Sequence, residues 1–362
     1  MTDTLIDSPV GSSELEGRLR AALPADVDRA SARLVDERAE HLQVRRHELD
    51  PIFNQFDTGV MITIWHGGGI GYAATSDLSE SGVARAVETA REWARITAGA
   101  MVTTAAPSAH AVGSYESPVE VSWDSMPLAD RLDLLHQQSR LLGIDDRIVD
   151  WSASLVRRDV DQLLLTTSRD GGEGRVEQRF RFLYPGLRAT ANEGANTQTR
   201  TFGASAFCGQ GGAEVLGRFG FGDAATRIAE QSLELLSAPN CPSGVMELLL
   251  APDQMVLQIH ESIGHPLELD RILGDERNYA GTSFVTTDMF GSFPYGSDLL
   301  NVTFDPTVPG QLASYGFDDD GTPARRQHLI ENGVLVRGLG GEVSQERSGL
   351  PGVANSRATS WN

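Results

Sequence analysis

The residues of this chain best suited to chemistry sit together in Gln258-Ile259-His260-Glu261-Ser262-Ile263-Gly264-His265-Pro266-Leu267-Glu268. Two imidazoles, with a carboxylate beside the first, lie within an apolar run. That is the residue set of a zinc hydrolase: neutral imidazole nitrogens ligate Zn²⁺, and a nearby glutamate can take a proton from a water on the metal. The metal lowers the pKa of that water to about 7, which makes a hydroxide nucleophile available at neutral pH. The spacing is one residue longer than His-Glu-x-x-His. Histidines four apart sit about 40° apart around an α-helix, whereas histidines five apart sit about 140° apart. Two features answer this mismatch. A π-type turn, with i→i+5 bonds, returns such a pair to one face. An early helix end does the same, because Gly264 loosens the backbone and Pro266 biases His265 away from α geometry. The spacing predicts a helix that breaks or bulges at Ser262–His265. The plainer alternative is a core helix with one capped and one exposed histidine.

Such residues need a rigid support. Pro252 is a good first helical residue after a strand at Val245–Leu250. From there to about Gly264, Met255, Val256, Ile259 and Ile263 fall on one stripe, expected to be buried. His260 follows Val256 by one turn, which places the first ligand beside the core. A catalytic zinc usually keeps three protein ligands and one open position. His260 and His265 supply two, with Glu261 as general base. Glu268, three residues after His265, is the nearest further carboxylate, and it either ligates or supports a histidine. His41, His47, His66, His110 and His136 have no partner at ligand spacing and read as structural or exposed, and His328 reads as a surface residue.

The elements around the motif follow from periodicity. Residues 1–12 read as a loose leader and Ser13–Leu23 as an amphipathic helix. Ala32 and Leu34, then Leu42 and Val44, alternate with charged neighbours and read as two strands, with Val60, Ile62 and Ile64 in a third. His66-Gly67-Gly68-Gly69 reads as a hairpin turn into Ile70–Thr75. A phosphate loop would need a following Lys-Ser/Thr and a helix. Ser79–Ile96 is a helix capped by Ser79 or Ser81. Residues 102–118 have the most linker-like composition. A helix at Pro127–Leu142 comes next, then strands at Ile148–Arg157, Gln162–Ser168, Arg175–Tyr184, Arg188–Asn192 and Thr197–Ala206. Ala224–Leu236 is another helix, and strands return at Leu312–Phe317, Gln327–Ile330 and Val334–Arg337. The fold class is α+β. An N-terminal α/β domain with a small sheet and helices occupies residues 1–112. A larger, β-rich mixed catalytic domain follows, with its middle part at 113–236 and the His-Glu-x-x-x-His part at 237–362.

Composition narrows the partners. A formal charge of −20 disfavours nucleic acid and anionic membrane surfaces, both of which demand basic patches. No apolar run is long enough for a transmembrane helix, and the acidic start Met1-Thr2-Asp3 does not read as a secretory signal. Cys208 and Cys241 form no disulfide framework and read as loop residues in a reduced, cytoplasmic protein. Gly203-Ala204-Ser205-Ala206-Phe207 falls one glycine short of a serine-hydrolase elbow. Asp318-Asp319-Asp320-Gly321 lacks EF-hand spacing and reads as an acidic turn.

Several stretches together carry a resemblance. Val245–Leu250, Pro252-Asp253-Gln254, the motif itself and Tyr279-Ala280-Gly281-Thr282-Ser283 resemble the TldD/PmbA family of zinc metallopeptidases. So do Asp57-Thr58-Gly59-Val60 and Gly69–Leu78 upstream, and Asp318–Pro323 and Leu329–Gly333 downstream, in the family's order from about residue 30 onward. The intact histidine motif resembles the TldD-type subunit rather than its PmbA/TldE-type partner. The resemblance implies zinc-dependent hydrolysis of peptides or unfolded proteins, for maturation or degradation, in a pair with a TldE-type subunit or in a homo-oligomer. It also implies a third ligand, a cysteine in a glycine-rich segment near the C-terminus of a longer chain. No cysteine follows Cys241 here, so the expectation is a fragment or truncated member, incomplete at its C-terminus. The rival expectation is a non-catalytic interaction subunit with a defective metal site.

Overall fold

Alternating apolar residues from Ala30 to Val44 form one strand, β1 (Arg29–Arg45), 17 residues long, where two were expected. The charged stretch Asp36–Glu40 stays in the ladder because its charges are met across the sheet. Arg158 clamps Glu37 with bonds of 2.5 and 2.7 Å, and Asp36 accepts from Thr58 at 2.5 Å and Arg38 at 3.0 Å. This computed structural model describes residues 9–103, 106–107, 110–203 and 206–362. Residues 1–8 of the expected leader, and Ala204-Ser205 of the serine sequence weighed above, lie outside them.

After β2 (Glu48–Leu49), β3 (Phe53–His66) runs back along β1. Gly67 and Gly68, at φ 61° and 80°, close a two-residue hairpin into β4 (Gly69–Thr75). Positive φ at both central positions is type I′ geometry, so the glycines do make the expected hairpin. β5 (Val112–Glu116) lies parallel to β7. β6 (Ile148–Thr167) and β7 (Glu173–Glu193) are single strands of 20 and 21 residues, where the sequence reads as shorter pieces. Pro185 is tolerated inside β7 because the outer neighbour changes there, from β9 (Gly209–Gln210) to β8 (Asn196–Phe202). The strand order is β4-β3-β1-β6-β7-β5. β1 and β6 pair at sixteen positions, so the sheet runs unbroken across the division drawn at residues 112/113.

One face of the sheet carries the helices. α1 (Ser13–Ala22) and α2 (Glu80–Thr97) press Leu19, Val83 and Ala90 onto Ala32, Leu34 and Ile62. Ser79 caps α2, its Oγ accepting from the Gly82 N–H at 3.1 Å. Gly71 lets β4 lie against α2, since a Cβ there would be 2.1 Å from the Ala90 carbonyl oxygen. Over the other end, α3 (Leu128–Leu142), α4 (Glu214–Arg218) and α5 (Phe221–Ser237) pack Leu135, Val215 and Phe221 onto Val44, Leu155 and Leu187. The opposite face is crossed by the segment after Ala354. Arg33 donates to the Ser360 carbonyl at 2.7 Å, and the Trp361 indole donates to Asp57 at 2.8 Å. The Arg357 guanidinium sits 4.9 and 4.4 Å from the ring centres of Phe180 and Tyr315.

A smaller unit holds the motif. It comprises α6 (Pro252–Ile259), α7 (Leu269–Leu273), a sheet of β10 (Val302–Phe304), β11 (Gln327–Glu331) and β12 (Val334–Leu335), and α8 (Glu342–Ser348). Its core is Ile263, Leu267, Val285, Leu329, Ile330, Leu335 and Val353. Two expected strands are absent. Val245–Leu250 finds no ladder partner among the described residues, and Val245, Leu248 and Leu249 are exposed. Leu312–Phe317 makes turns and one isolated bridge, Phe317 to Pro323.

The acidic turn Asp318–Asp320 joins this unit to the large sheet. Asp318 Oδ1 accepts from the backbone of Asp320 and Thr322 at 3.1 and 2.8 Å. Gln162 donates to Asp319 at 2.6 Å, and Arg29 donates to the Asp320 carbonyl at 2.9 Å. Burial, with the Asp320 charge adding to it, pushes the Asp318 carboxyl up to about 7.

Candidate metal centre

α6 runs directly into a π-helical turn at His260–Gly264, and a 3₁₀ turn follows at His265–Leu267, with Pro266 inside it. Both answers to the five-residue spacing occur in succession, and the bulge opens two residues earlier than predicted. The His265 N–H bonds to the His260 carbonyl, the i→i+5 contact that defines the turn. The wider turn brings the rings together, with centroids 4.3 Å apart and Nε2 to Nε2 2.6 Å. Two ring nitrogens this close need a proton or a cation between them. One ligand atom from each of His260, Glu261 and His265 lies within 4.8 Å of the others. A tetrahedral zinc at about 2.0–2.1 Å from each nitrogen sets them about 3.3 Å apart. The rings need open by less than about 1 Å to reach that spacing, so the donor set fits a zinc-type ion.

The turn is pinned from outside. The Tyr295 hydroxyl donates to the Ser262 carbonyl at 2.5 Å, and burial pushes that phenol up to about 12. Ser283 Oγ donates to the Pro266 carbonyl at 2.7 Å. Leu269 N–H reaches the Leu339 carbonyl, and Leu339 N–H the Leu267 carbonyl, both at 2.7 Å. Gly338 permits this approach, because a Cβ there would lie 2.5 Å from Leu269 Cδ2.

Behind His265 lies a second carboxylate. Glu268 Oε1 is 2.9 Å from His265 Nδ1, and Arg271 Nε donates to Glu268 Oε2 at 2.7 Å. Arg271 also sits 3.2 Å from the same Nδ1. A guanidinium only donates, so Nδ1 serves one partner or the other. The carboxylate is closer and favours a ring N–H, which leaves Nε2 with its lone pair toward His260. Glu268 therefore stands on the nitrogen away from the pair. Its hydrogen bond raises the Arg271 pKa further above the usual arginine range.

Other expectations need correction. Of the expected buried stripe only Ile263 is buried; Val256 and Ile259 are 52% and 38% exposed. His260 and Glu261 are exposed, so the first histidine stands on an open helix end rather than beside the core. Amphipathic spacing fixes which residues share a face, but not whether a neighbour covers that face. Cys208 is buried rather than loop-exposed, and burial pushes its thiol up to about 11, while Cys241 is exposed. Sequence reasoning missed Arg271 and Tyr295. The first was legible as a Glu268/Arg271 pair three residues apart; the second, 33 residues from Ser262, left no local signal.

Fold and site together define an α+β protein with a histidine pair and a glutamate placed as a candidate metal site. The chain belongs to the PmbA/TldD family: the model of PmbA/TldA metallopeptidase domain 1 matches residues 30–94, and that of the family's C-terminal domain matches residues 243–361. A metalloprotease of Methanothermobacter thermautotrophicus is 26% identical over 334 residues, covering 92% of this chain and 68% of that one. A metalloprotease TldD homolog of Haemophilus influenzae is 24% identical over 322 residues, covering 84% of this chain and 61% of that one. Among solved structures, a Thermotoga maritima protein described as a candidate modulator of DNA gyrase superposes with a TM-score of 0.68 at 16% identity, covering 97% of this chain and 76% of that one. TldE from Thermococcus kodakarensis gives 0.60 at 15% identity, covering 96% and 73%. Among the described residues no helix is long and apolar enough to cross a membrane.

Proposed function

We propose that this chain is a zinc-dependent peptidase of the TldD type, acting on extended or unfolded peptides. The observation that carries the reading is the convergence of the His260 and His265 Nε2 atoms, 2.6 Å apart, with Glu261 in reach. His260 and His265 hold the ion through those nitrogens. Zinc bound there supplies Lewis acidity, making a water it binds acidic near neutral pH. Glu261 takes the proton as general base and returns it to the leaving amine. Glu268 keeps the proton of His265 on Nδ1, so that Nε2 is free to bind. The centre is open to solvent, which suits a substrate presented as an extended chain.

A TldE-type partner or a second copy is supported by the bare apolar surface of Val245, Leu248, Leu249, Val256 and Leu257 beside the motif. Two unpaired cysteines support a reducing, cytoplasmic setting. A charge of −20 supports a peptide rather than a nucleic-acid ligand.

The test is Glu261→Gln in the complete protein with its partner. Peptide cleavage should fall by about 10²–10⁴-fold while zinc content and folding persist. Unchanged cleavage would remove Glu261 as the base. The rival is a non-catalytic interaction subunit, and what supports it is the small number of donors. Among the described residues no further histidine, cysteine or carboxylate joins the group of three. That rival is retained if neither protein holds zinc and partner-dependent function is unchanged.

A further inference from the structure

We infer that Arg271 is a positioning residue of the metal centre: it holds Glu268 against Nδ1 of His265 and so fixes which ring nitrogen faces His260. The inference rests on the reading of His265 as a ligand, but the positioning itself is a property of the metal-free chain.

Three observations carry it. The Glu268 carboxylate is shared, with Oε1 on His265 Nδ1 at 2.9 Å and Oε2 on Arg271 Nε at 2.7 Å. The Arg271 side chain is 11% exposed, against 28% for Glu268 and 37% for His265, so the most fixed of the three is the guanidinium, whose Nη2 also lies 3.2 Å from His265 Nδ1. Arg271 is itself anchored, donating to the Ala280 carbonyl at 2.5 Å and lying 3.4 Å from Glu276. A glutamate in the extended step before a short helix, left without a partner, samples several rotamers, and those that leave Nδ1 let the ring take either tautomer. Planar and donor-only, the guanidinium accepts none of those exits. It engages Glu268 through Nε while Nη1 is spent on the Ala280 carbonyl. The order of control therefore runs from Arg271 through Glu268 to the imidazole. Glu276 Oε2 lies 3.4 Å from Arg271 Nη2, the nitrogen that is also 3.2 Å from His265 Nδ1, so it helps to draw that donor off the ring.

The experiment reads the His265 ring directly, by ¹⁵N shifts of its two nitrogens in the metal-free protein. Zn²⁺ affinity is measured separately by competition with a chromophoric chelator. In the parent protein His265 should be the Nδ1–H tautomer. Arg271→Ala should give a tautomer mixture and a Zn²⁺ affinity lower by about tenfold or more. Arg271→Lys keeps a cation on Glu268 but cannot also reach the Ala280 carbonyl, and should restore the parent tautomer. An unaltered tautomer and affinity in Arg271→Ala overturn the inference. So does an Arg271→Lys protein that behaves like Arg271→Ala, because the loop tie alone would then be responsible. Should Arg271→Ala fail to fold, the Lys variant and Glu268→Ala decide it: a parent-like ring in Glu268→Ala refutes the relay. If the parent binds no Zn²⁺ yet its tautomer responds to Arg271, the peptidase reading fails and the positioning stands.

Discussion

Asp318 ties the stability of this protein to pH in an unusual direction. Its carboxyl is buried in the turn that joins the motif unit to the large sheet, and burial, then the neighbouring Asp320 charge, raises it from 3.8 to about 7. The unfolded chain gives up this proton near 3.8, whereas the folded chain keeps it to about 7. Between those values the folded state binds more protons than the unfolded one, so stability falls as pH rises and levels off above 7. Each pH unit of displacement is worth about 1.4 kcal/mol. Raising the pH from 5 to 8 crosses roughly two such units, a loss of about 2–3 kcal/mol. Asp318→Asn keeps an acceptor on the Asp320 and Thr322 N–H groups and cannot ionise. Carboxyls held low by arginines, such as Glu177 between Arg175 and Arg179, act in the opposite sense but are common to both proteins. Urea unfolding at pH 5 and pH 8 should therefore show the parent losing about 2–3 kcal/mol more than Asp318→Asn over that interval. Parallel pH curves for the two proteins would refute the reasoning.

Two further outcomes follow from the centre. Glu268→Ala should weaken Zn²⁺ binding about 10–100-fold while leaving the fold intact, as measured by chelator competition and circular dichroism; an unchanged affinity would detach Glu268 from the centre. Gly338→Ala places a methyl 2.5 Å from Leu269 Cδ2, so the Leu267–Leu269 contact with Leu339 must spread. A cost of about 1–3 kcal/mol is expected in the denaturant midpoint, and an unshifted midpoint would show that the contact does not hold the motif in place.

The motif was legible because its chemistry is local. Five-residue histidine spacing, Gly264 and Pro266 together announce a departure from α geometry, and the turn at His260–Gly264 is that departure. The first hairpin was legible for the same reason: Gly67 and Gly68 both take the positive φ that the turn demands. What failed depended on distant partners. β1 reads as two strands until Arg158 and Thr58 are seen to meet Glu37 and Asp36. The α6 stripe reads as buried until its neighbours are seen to be missing from Val256 and Ile259. Tyr295 is invisible from the Ser262 side because a hydrogen bond across 33 residues leaves no periodic trace.

The pairing of β1 with β6 has a consequence for how the chain is made. Ala30 waits for Thr167, which is synthesised 137 residues later. At about 5–20 residues per second, that interval is on the order of ten seconds. Throughout it β3 and α2 can already pack on one side of β1, but the other edge of its 17 residues stays open. An open strand edge is a template for pairing between nascent chains. The charges at Asp36, Glu37 and Arg38, which make the strand look broken in sequence, stand at the middle of that edge. Before Arg158 arrives they act as gatekeepers against the wrong partner, and afterwards Glu37 selects the right one.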